Sequence, residues 1–293
     1  MKYKAIILAG GLGTRLYPMT QLYSKHLISI YDKPMIYYPL SFLMMMGIKD
    51  ILIIADIKTL HEYDHLFLDG NSLGINIEYA EQQEPKGIAE AFLIGEHFIG
   101  KDNVILMLGD NLFYGDMTDF KQAITEHTIA TIFAYYVNNP QNYGVVEIDQ
   151  NSRIKSLEEK PTQPKSNYAI PGLYIYNNLV VDIAKKIQPS DRDELEITDI
   201  NKYFLKEGGL RVKQLGRGIA WLDTGTPDSL LEAGAFIASI EKRQGLKVGC
   251  VEEIARRQNF ISQTQFENLI YQMPSSSLYR KYLFDIKDEL YDI

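Results

Sequence analysis

The chain has 293 residues, 46% apolar and 23% charged, with a formal net charge of −8. That length buries one large core, or a main domain with an appendage. The acidic balance argues against a broad nucleic-acid or membrane-binding surface but leaves room for a small basic pocket for phosphates. One cysteine, Cys250, rules out a disulfide framework and a thiolate cluster, and the five histidines are read as scattered, with no HxxxH-type pair.

Lys2 and Lys4 precede an apolar run like the start of an export signal. The run breaks at GGLGTR after about five residues, short of the roughly 7–15 such a segment needs. No run approaches the roughly 18 apolar residues of a membrane span, so a cytoplasmic location is expected. The stretch Ala5–Ala9, AIILA, has no polar alternation and reads as a strand buried on both faces of a parallel sheet. Gly10, Gly11 and Gly13 follow, so several backbone N–H groups can turn toward one anion. Arg15 adds a planar cationic fork suited to phosphate oxygens. A dinucleotide fingerprint starting at Gly11 fails at Leu16, and no GxxxxGK[ST] loop is present.

Lys25 comes next, and Pro34 is placed to begin a helix over Pro34–Gly47 whose methionines are core packing. Ile51–Ala55, Ile75–Ala80 and Val104–Leu108 read as further strands, with a helix over Gly87–Gly95. This alternation to about residue 137 indicates βαβ units around a mostly parallel sheet. Ligands sit at the carboxyl ends of such strands, where the glycine loop and Gly109-Asp110-Asn111 both fall. From residue 143 the texture changes to short strands, interrupted by helices at Asn178–Lys186 and Thr198–Lys206. From Pro227 it turns helical, with Leu230, Leu231, Phe236, Ile237 and Ile240 expected on one side. The expected organisation is a core over 1–227, nucleotide-binding to about 137 and sugar-phosphate-binding over 138–227, followed by a helical segment over 228–293.

Asp110 and Asp223 each follow an apolar run, where a carboxylate either caps a helix or holds a ligand. Beside a phosphate loop the two make a coherent magnesium site, because Mg²⁺ takes one or two carboxylates plus phosphate oxygens. Glu158, Glu159 and Lys160 read as a solvated charge run or as ligand groups at a strand end. Arg15, Lys25, Lys160 and Arg192 together could neutralise several phosphate charges. Gln82 and Gln83 could read a base edge. His26 and Cys250 have no evident role.

Taken together, AIILAGGLGTRL, YDKPMIYYPLS, AFLIGE, LGDNLFYG, YGVVE, SLEEKPTQPKSNYA, GLYIY, ELEITD, AWLDTGTPDSLLEAG and FIASIEKRQGLKVGC match one family. The chain resembles the bacterial glucose-1-phosphate thymidylyltransferases, which are sugar-phosphate nucleotidyltransferases, from residue 5 to about 250. The resemblance implies a Rossmann-like sheet flanked by helices and the reaction of dTTP with α-D-glucose 1-phosphate, with Mg²⁺, to give dTDP-glucose and pyrophosphate. That product heads the formation of dTDP-deoxysugars for cell-surface polysaccharide. Carried over residue by residue, Leu8, Gly10 and Gly11 would line the nucleotide pocket, with Gly13, Thr14, Arg15 and Lys25 at the triphosphate. Gln82 and Gly87 would meet the thymine edge, and Asp110 and Asp223 would hold the metal. Asn111, Gly144, Glu159, Lys160, Gly172 and Arg192 would position the sugar phosphate. Arg15, Lys25, Asp110 and Lys160 would carry the catalysis. The family also implies a homotetramer and a dTDP-sugar inhibitor site, to which Tyr114, Gly115, Arg256 and Arg257 are candidates. Where the family usually has glutamine and proline in its SKQLLP stretch, this chain has His26 and Ser29. Gln83 and Lys86 replace a common proline and aspartate.

Overall fold

The computed structural model describes residues 2–126 and 128–288. The chain first makes β1 (Tyr3–Leu8), then a small hairpin of β2 (Ser29–Ile30) and β3 (Lys33–Pro34), then β4 (Asp50–Ala55), β5 (Asn76–Glu81) and β6 (Asn103–Leu108). β1 pairs in parallel with β4 on one flank and with β6 on the other, and β4 pairs in parallel with β5. The chain thus winds outward from β1 to β5 and then returns to place β6 on the far side of β1. Strand order reverses between β1 and β6, and the crevice at their carboxyl ends is where open α/β sheets take ligands.

Alternate side chains on these strands serve two different cores. Ala5, Ile7, Ile51, Ile53, Ile105 and Met107 face one core, which is completed by helices such as Tyr37–Met45, Val251–Arg257 and Gln263–Gln272. Ile6, Leu8, Leu52, Ile54, Val104 and Leu106 face the other, covered by Glu90–Ile94, Leu179–Ala184 and Ile197–Lys206. Both faces are apolar, which is why the strands lack polar alternation.

The second half supplies β7 (Asn111–Tyr114), β8 (Ala130–Tyr136), β9 (Gly144–Ile148), β10 (Ile154–Glu159), β11 (Tyr168–Ile170), β12 (Leu173–Tyr176), β13 (Leu210–Gln214) and β14 (Ala220–Asp223). The ten-stranded sheet runs β10-β9-β11-β8-β12-β6-β1-β4-β5, with β13 beside β8. β12 lies antiparallel between β6 and β8, so the sheet continues unbroken from the parallel half into the shorter strands. β7 and β14 form a separate antiparallel ribbon in which Asn111 stands opposite Asp223.

Several local expectations change. Pro34 does not open a helix: it pairs with Ser29 in the β2–β3 hairpin, and the helix begins at Tyr37. Gly87 precedes its helix, which runs only over Glu90–Ile94. On the Pro227–Gln244 helix the buried residues are Ala233, Ile237 and Glu241, packed over Ile30, Met35 and Tyr38. Leu231 falls outside that stripe and is 73% exposed. The expectation of no HxxxH pair fails, since His61 and His65 stand four apart on the Ile57–Phe67 helix, though among the described residues no group of three possible metal ligands forms. Among the described residues no helix is long and apolar enough to cross a membrane.

Candidate active site

The glycine loop leaves β1 at the switch point. Gly11, with φ +102°, takes a conformation that side chains rarely adopt, and Gly13 leads into a single 3-10 turn over Thr14–Leu16. Gly10 is needed for a close approach, since a methyl there would lie 2.0 Å from Gln82 Oε1. Thr14 and Arg15 are exposed on the loop, and the Arg15 guanidinium and the Asp223 carboxylate both border the side-chain-free face of Gly225, where a methyl would lie 3.1 and 3.2 Å from them.

Asp110 follows β6 through Gly109, whose N–H donates to the Leu8 carbonyl at 2.9 Å and so ties the two strand ends together. Lys25 donates from Nζ to Asp110 Oδ2, and both side chains are largely buried. Asn111 Nδ2 donates to the other oxygen, Oδ1, at 2.8 Å. The Asn111 amide oxygen in turn accepts from the Gly172 N–H at 2.9 Å and from Trp221 Nε1 at 2.7 Å. Thr224 completes the frame, donating from N and Oγ1 to the Asp110 carbonyl at 3.1 and 2.8 Å. Asp110 is therefore held from β6, β7, β12 and the end of β14.

The two acids differ electrostatically. Burial pushes Asp110 up, but the Lys25 charge, His26 and two hydrogen bonds outweigh it and hold the carboxyl below its ordinary value. Asp223 lacks such a close partner. Burial, reinforced by the Asp110 charge, pushes it up to about 6 against the weaker pull of Lys25 and Arg15. Asp110 is thus in an ion pair with Lys25, whereas Asp223 is acted on by Lys25 and Arg15 without a direct ion pair among the described residues. His26, given no role from sequence, lies beside Asp110: it is 3% exposed and packs against Gly109. Burial, together with Lys25, lowers its imidazole to about 4, so the ring is neutral, and Nδ1 has no protein partner.

Gln82 is buried beside Gly10, and its Nε2 donates to Glu90 Oε2 at 2.8 Å. Gly87 has φ +105°, and a methyl there would meet the Leu195 backbone at 2.5 Å. The flanking residues pair with the same segment: Leu195 N–H donates to the Lys86 carbonyl at 2.7 Å and Ala89 N–H to the Leu195 carbonyl at 3.2 Å. On the other side of the crevice, Glu159 accepts from Thr198 Oγ1 and lies 3.6 Å from Arg192 Nη2. Burial, with Glu196 nearby, raises the Glu159 carboxyl. Arg192 is already held by Glu196 at 2.8 Å and Glu194 at 3.2 Å. Gly144 lies opposite Glu159 in the β9–β10 pairing, and Lys160 is exposed with φ +41°. Gly172 is packed so closely on Leu108 that a methyl would lie 2.6 Å from it.

The structure thus brings Leu8, Gly10, Gln82, Lys25, Asp110, Asn111, Gly172 and Asp223 together, with Glu159 and Arg192 as a second group joined through Thr198 and Glu196. Tyr114 bonds Gln244, whereas Arg256 and Arg257 are engaged with Gln263 and Glu253. His26, Glu90, Trp221 and Thr224 are the members that the sequence reading misses. Trp221 and Thr224 flank Asp223 in AWLDTG, so that segment carried a usable signal, while Glu90 carried none.

Residues 4–240 match the family model described as nucleotidyl transferase. The chain belongs to the nucleotidyl transferase family. It is 51% identical to a glucose-1-phosphate thymidylyltransferase of Neisseria meningitidis over 282 residues, which is 96% of this chain and 98% of that one. A glucose-1-phosphate thymidylyltransferase of Mycobacterium tuberculosis is 53% identical over 266 residues, covering 89% and 91% of the two chains. A crystal structure of a Bacillus anthracis protein in complex with a sucrose matches with TM-score 0.75 and 39% identity, over 80% of this chain and 94% of that one. A UDP-glucose pyrophosphorylase complexed with UDP-glucose matches with TM-score 0.72 and 25% identity, over 83% and 100%. The crevice of this nucleotidyl transferase lies where its fold places ligands.

Proposed function

We propose that this chain transfers a thymidylyl group from dTTP to α-D-glucose 1-phosphate, releasing pyrophosphate. The observation that carries the reading is the convergence, at one switch point, of a bare glycine loop, the Lys25–Asp110 pair and Asp223. The near-full-length relatedness to thymidylyltransferases selects the base and the sugar.

A phosphate oxygen of the sugar attacks the α-phosphorus in line. One P–O bond forms, the bond to the β-phosphate oxygen breaks, and no covalent enzyme intermediate is needed. Positioning and charge stabilisation therefore supply the catalysis. In this reading Leu8, Gly10 and Gly11 line the nucleotide pocket, Gly13, Thr14, Arg15 and Lys25 take the triphosphate, and Gln82 and Gly87 take the base. Asn111, Gly144, Glu159, Lys160, Gly172 and Arg192 form the sugar-phosphate side, with Lys160 supplying an unburied positive charge.

Among the described residues no cluster of three His, Cys, Asp or Glu side chains could cage a metal. Two carboxylates facing a phosphate loop suit Mg²⁺, which fills its remaining positions with water and phosphate oxygens. Asp110 and Asp223 would hold it, and its charge would offset the repulsion between the two phosphates. The homotetramer, the cytoplasmic location and a regulatory dTDP-sugar site belong to the same proposal.

Pyrophosphate release with glucose 1-phosphate and Mg²⁺, comparing dTTP with UTP, tests the reading. Fast release with dTTP and a dTDP-glucose product supports it. Release with UTP alone keeps the chemistry and changes the base, because one methyl group is worth only about 1–3 kcal/mol in an apolar pocket. No release with any nucleotide would leave a non-catalytic nucleotide-sugar binder.

A further inference from the structure

A primary amide offers a donor and an acceptor that can exchange places by a half-turn, so a glutamine reads a base only if something fixes which end faces it. Gln82 is fixed. Its Nε2 donates to Glu90 Oε2 at 2.8 Å, and a carboxylate can only accept. The same Oε2 accepts from the Lys86 N–H at 3.1 Å, so Glu90 also ties down the chain between Gln82 and Gly87. The acceptor end, Gln82 Oε1, lies over the side-chain-free face of Gly10, and Nε2 keeps one further proton. No protein group among the described residues donates to that oxygen.

We infer that Glu90 is a positioning residue that sets the base this enzyme accepts, by fixing which end of the Gln82 amide stands over Gly10 and so presenting its Oε1 acceptor to the nucleotide. The inference rests on the proposed thymidylyl transfer and names the part of the base that the site reads. Thymine and uracil carry an N3–H that can donate to Gln82 Oε1. Cytosine presents a bare N3 lone pair at that place, and two acceptors facing each other in a desolvated pocket repel. Glu90 thus separates N3–H pyrimidines from cytosine and leaves the thymine-versus-uracil choice to the methyl group. It touches no reacting atom, so it acts on nucleotide binding and leaves the chemical step alone.

The test is steady-state kinetics with dTTP and dCTP on the wild type, Glu90→Leu and Glu90→Gln, with glucose 1-phosphate KM as control. Glu90→Leu removes the acceptor and lets the Gln82 amide turn. The expected result is about a tenfold higher KM for dTTP, kcat within about threefold, an unchanged sugar-phosphate KM and about a tenfold smaller preference for dTTP over dCTP. Glu90→Gln keeps an oxygen that can accept from Gln82 Nε2, and it should recover most of the loss. Should the leucine variant fail to fold, Glu90→Ala gives the same readout without added bulk. A folded Glu90→Leu or Glu90→Ala variant with wild-type dTTP KM and wild-type base preference overturns the inference while the proposed function stands. A wild-type enzyme that turns over no dTTP defeats the reading of Gln82 as a base contact, and the inference falls with it.

Discussion

Asn111→Ala is the most informative single substitution in this molecule. The wild-type side chain is 4% exposed and joins three elements: it donates to Asp110 and accepts from the Gly172 N–H and the Trp221 indole N–H. Alanine leaves those two donors buried with no acceptor, and each costs about 1–3 kcal/mol. The two together amount to about 2–6 kcal/mol, and a loss of about 3 kcal/mol is expected because the small cavity can admit water. For a chain of 293 residues, at about 2.1 cal/mol/K of unfolding entropy per residue, that is roughly 5 °C in melting temperature. Trp221 is the only tryptophan, so its fluorescence reports unfolding and the state of this bond in one experiment. Denaturant titration followed at the tryptophan should show a lower midpoint with an unchanged slope, and a native-state emission altered by the lost bond. Turnover should fall by about tenfold or more, because Asp110 loses the donor that orients its second oxygen. A variant within about 1 kcal/mol of wild type and fully active would refute the view that Asn111 holds the site together.

Further outcomes follow from other parts of the structure. Asp223→Asn should lower kcat by at least about a hundredfold while leaving the melting temperature unchanged or raised, since it removes a buried charge that faces Asp110. Near-normal turnover in that variant and in Asp110→Asn would sink the shared-metal proposal. Gly87→Ala forces a side chain into φ +105° and against the Leu195 backbone, so a loss of about 2–4 kcal/mol in thermal or chemical unfolding is expected, with weaker dTTP binding. Glu252 is buried with Tyr279 donating to it at 2.6 Å, and burial raises its carboxyl above the ordinary value. A raised folded value means that stability is lost as pH rises through it, so Glu252→Gln should gain melting temperature relative to wild type at pH 8 and gain less at pH 4.5. The opposite trend in a pair of pH-series melts would show that Glu252 is stabilised as an anion.

The parallel half of the fold was legible because strands buried on both faces write themselves as continuous apolar runs, as in AIILA and VILML. The placement of Asp110 and of the glycine loop at the carboxyl ends of such runs was legible for the same reason. Pro34 misled because proline suits both a first helical turn and an edge strand, and only the Ser29 pairing decides between them. Leu231 misled because an apolar side chain near a helix start says nothing about where a neighbouring cluster lies. The β7–β14 ribbon and the bonds that Asn111, Thr224 and Glu90 make depend on register between segments far apart in the chain. No local pattern encodes that register.

One feature of the sheet bears on how this protein can be dissected. The strand between β6 and β8 is β12, which the chain supplies only after residue 172. A fragment ending near residue 137 would contain both neighbours of that slot without its occupant. Each would present a ladder of unpaired N–H and C=O groups backed by Leu106 and Ile132, the kind of edge that recruits a strand from another molecule. Such a fragment should come off a sizing column as oligomer or aggregate, and adding a chain that carries residues 138–288 should return it to a defined species. The stretches proposed to take nucleotide and sugar phosphate share this one sheet, and a cut near residue 137 leaves neither whole.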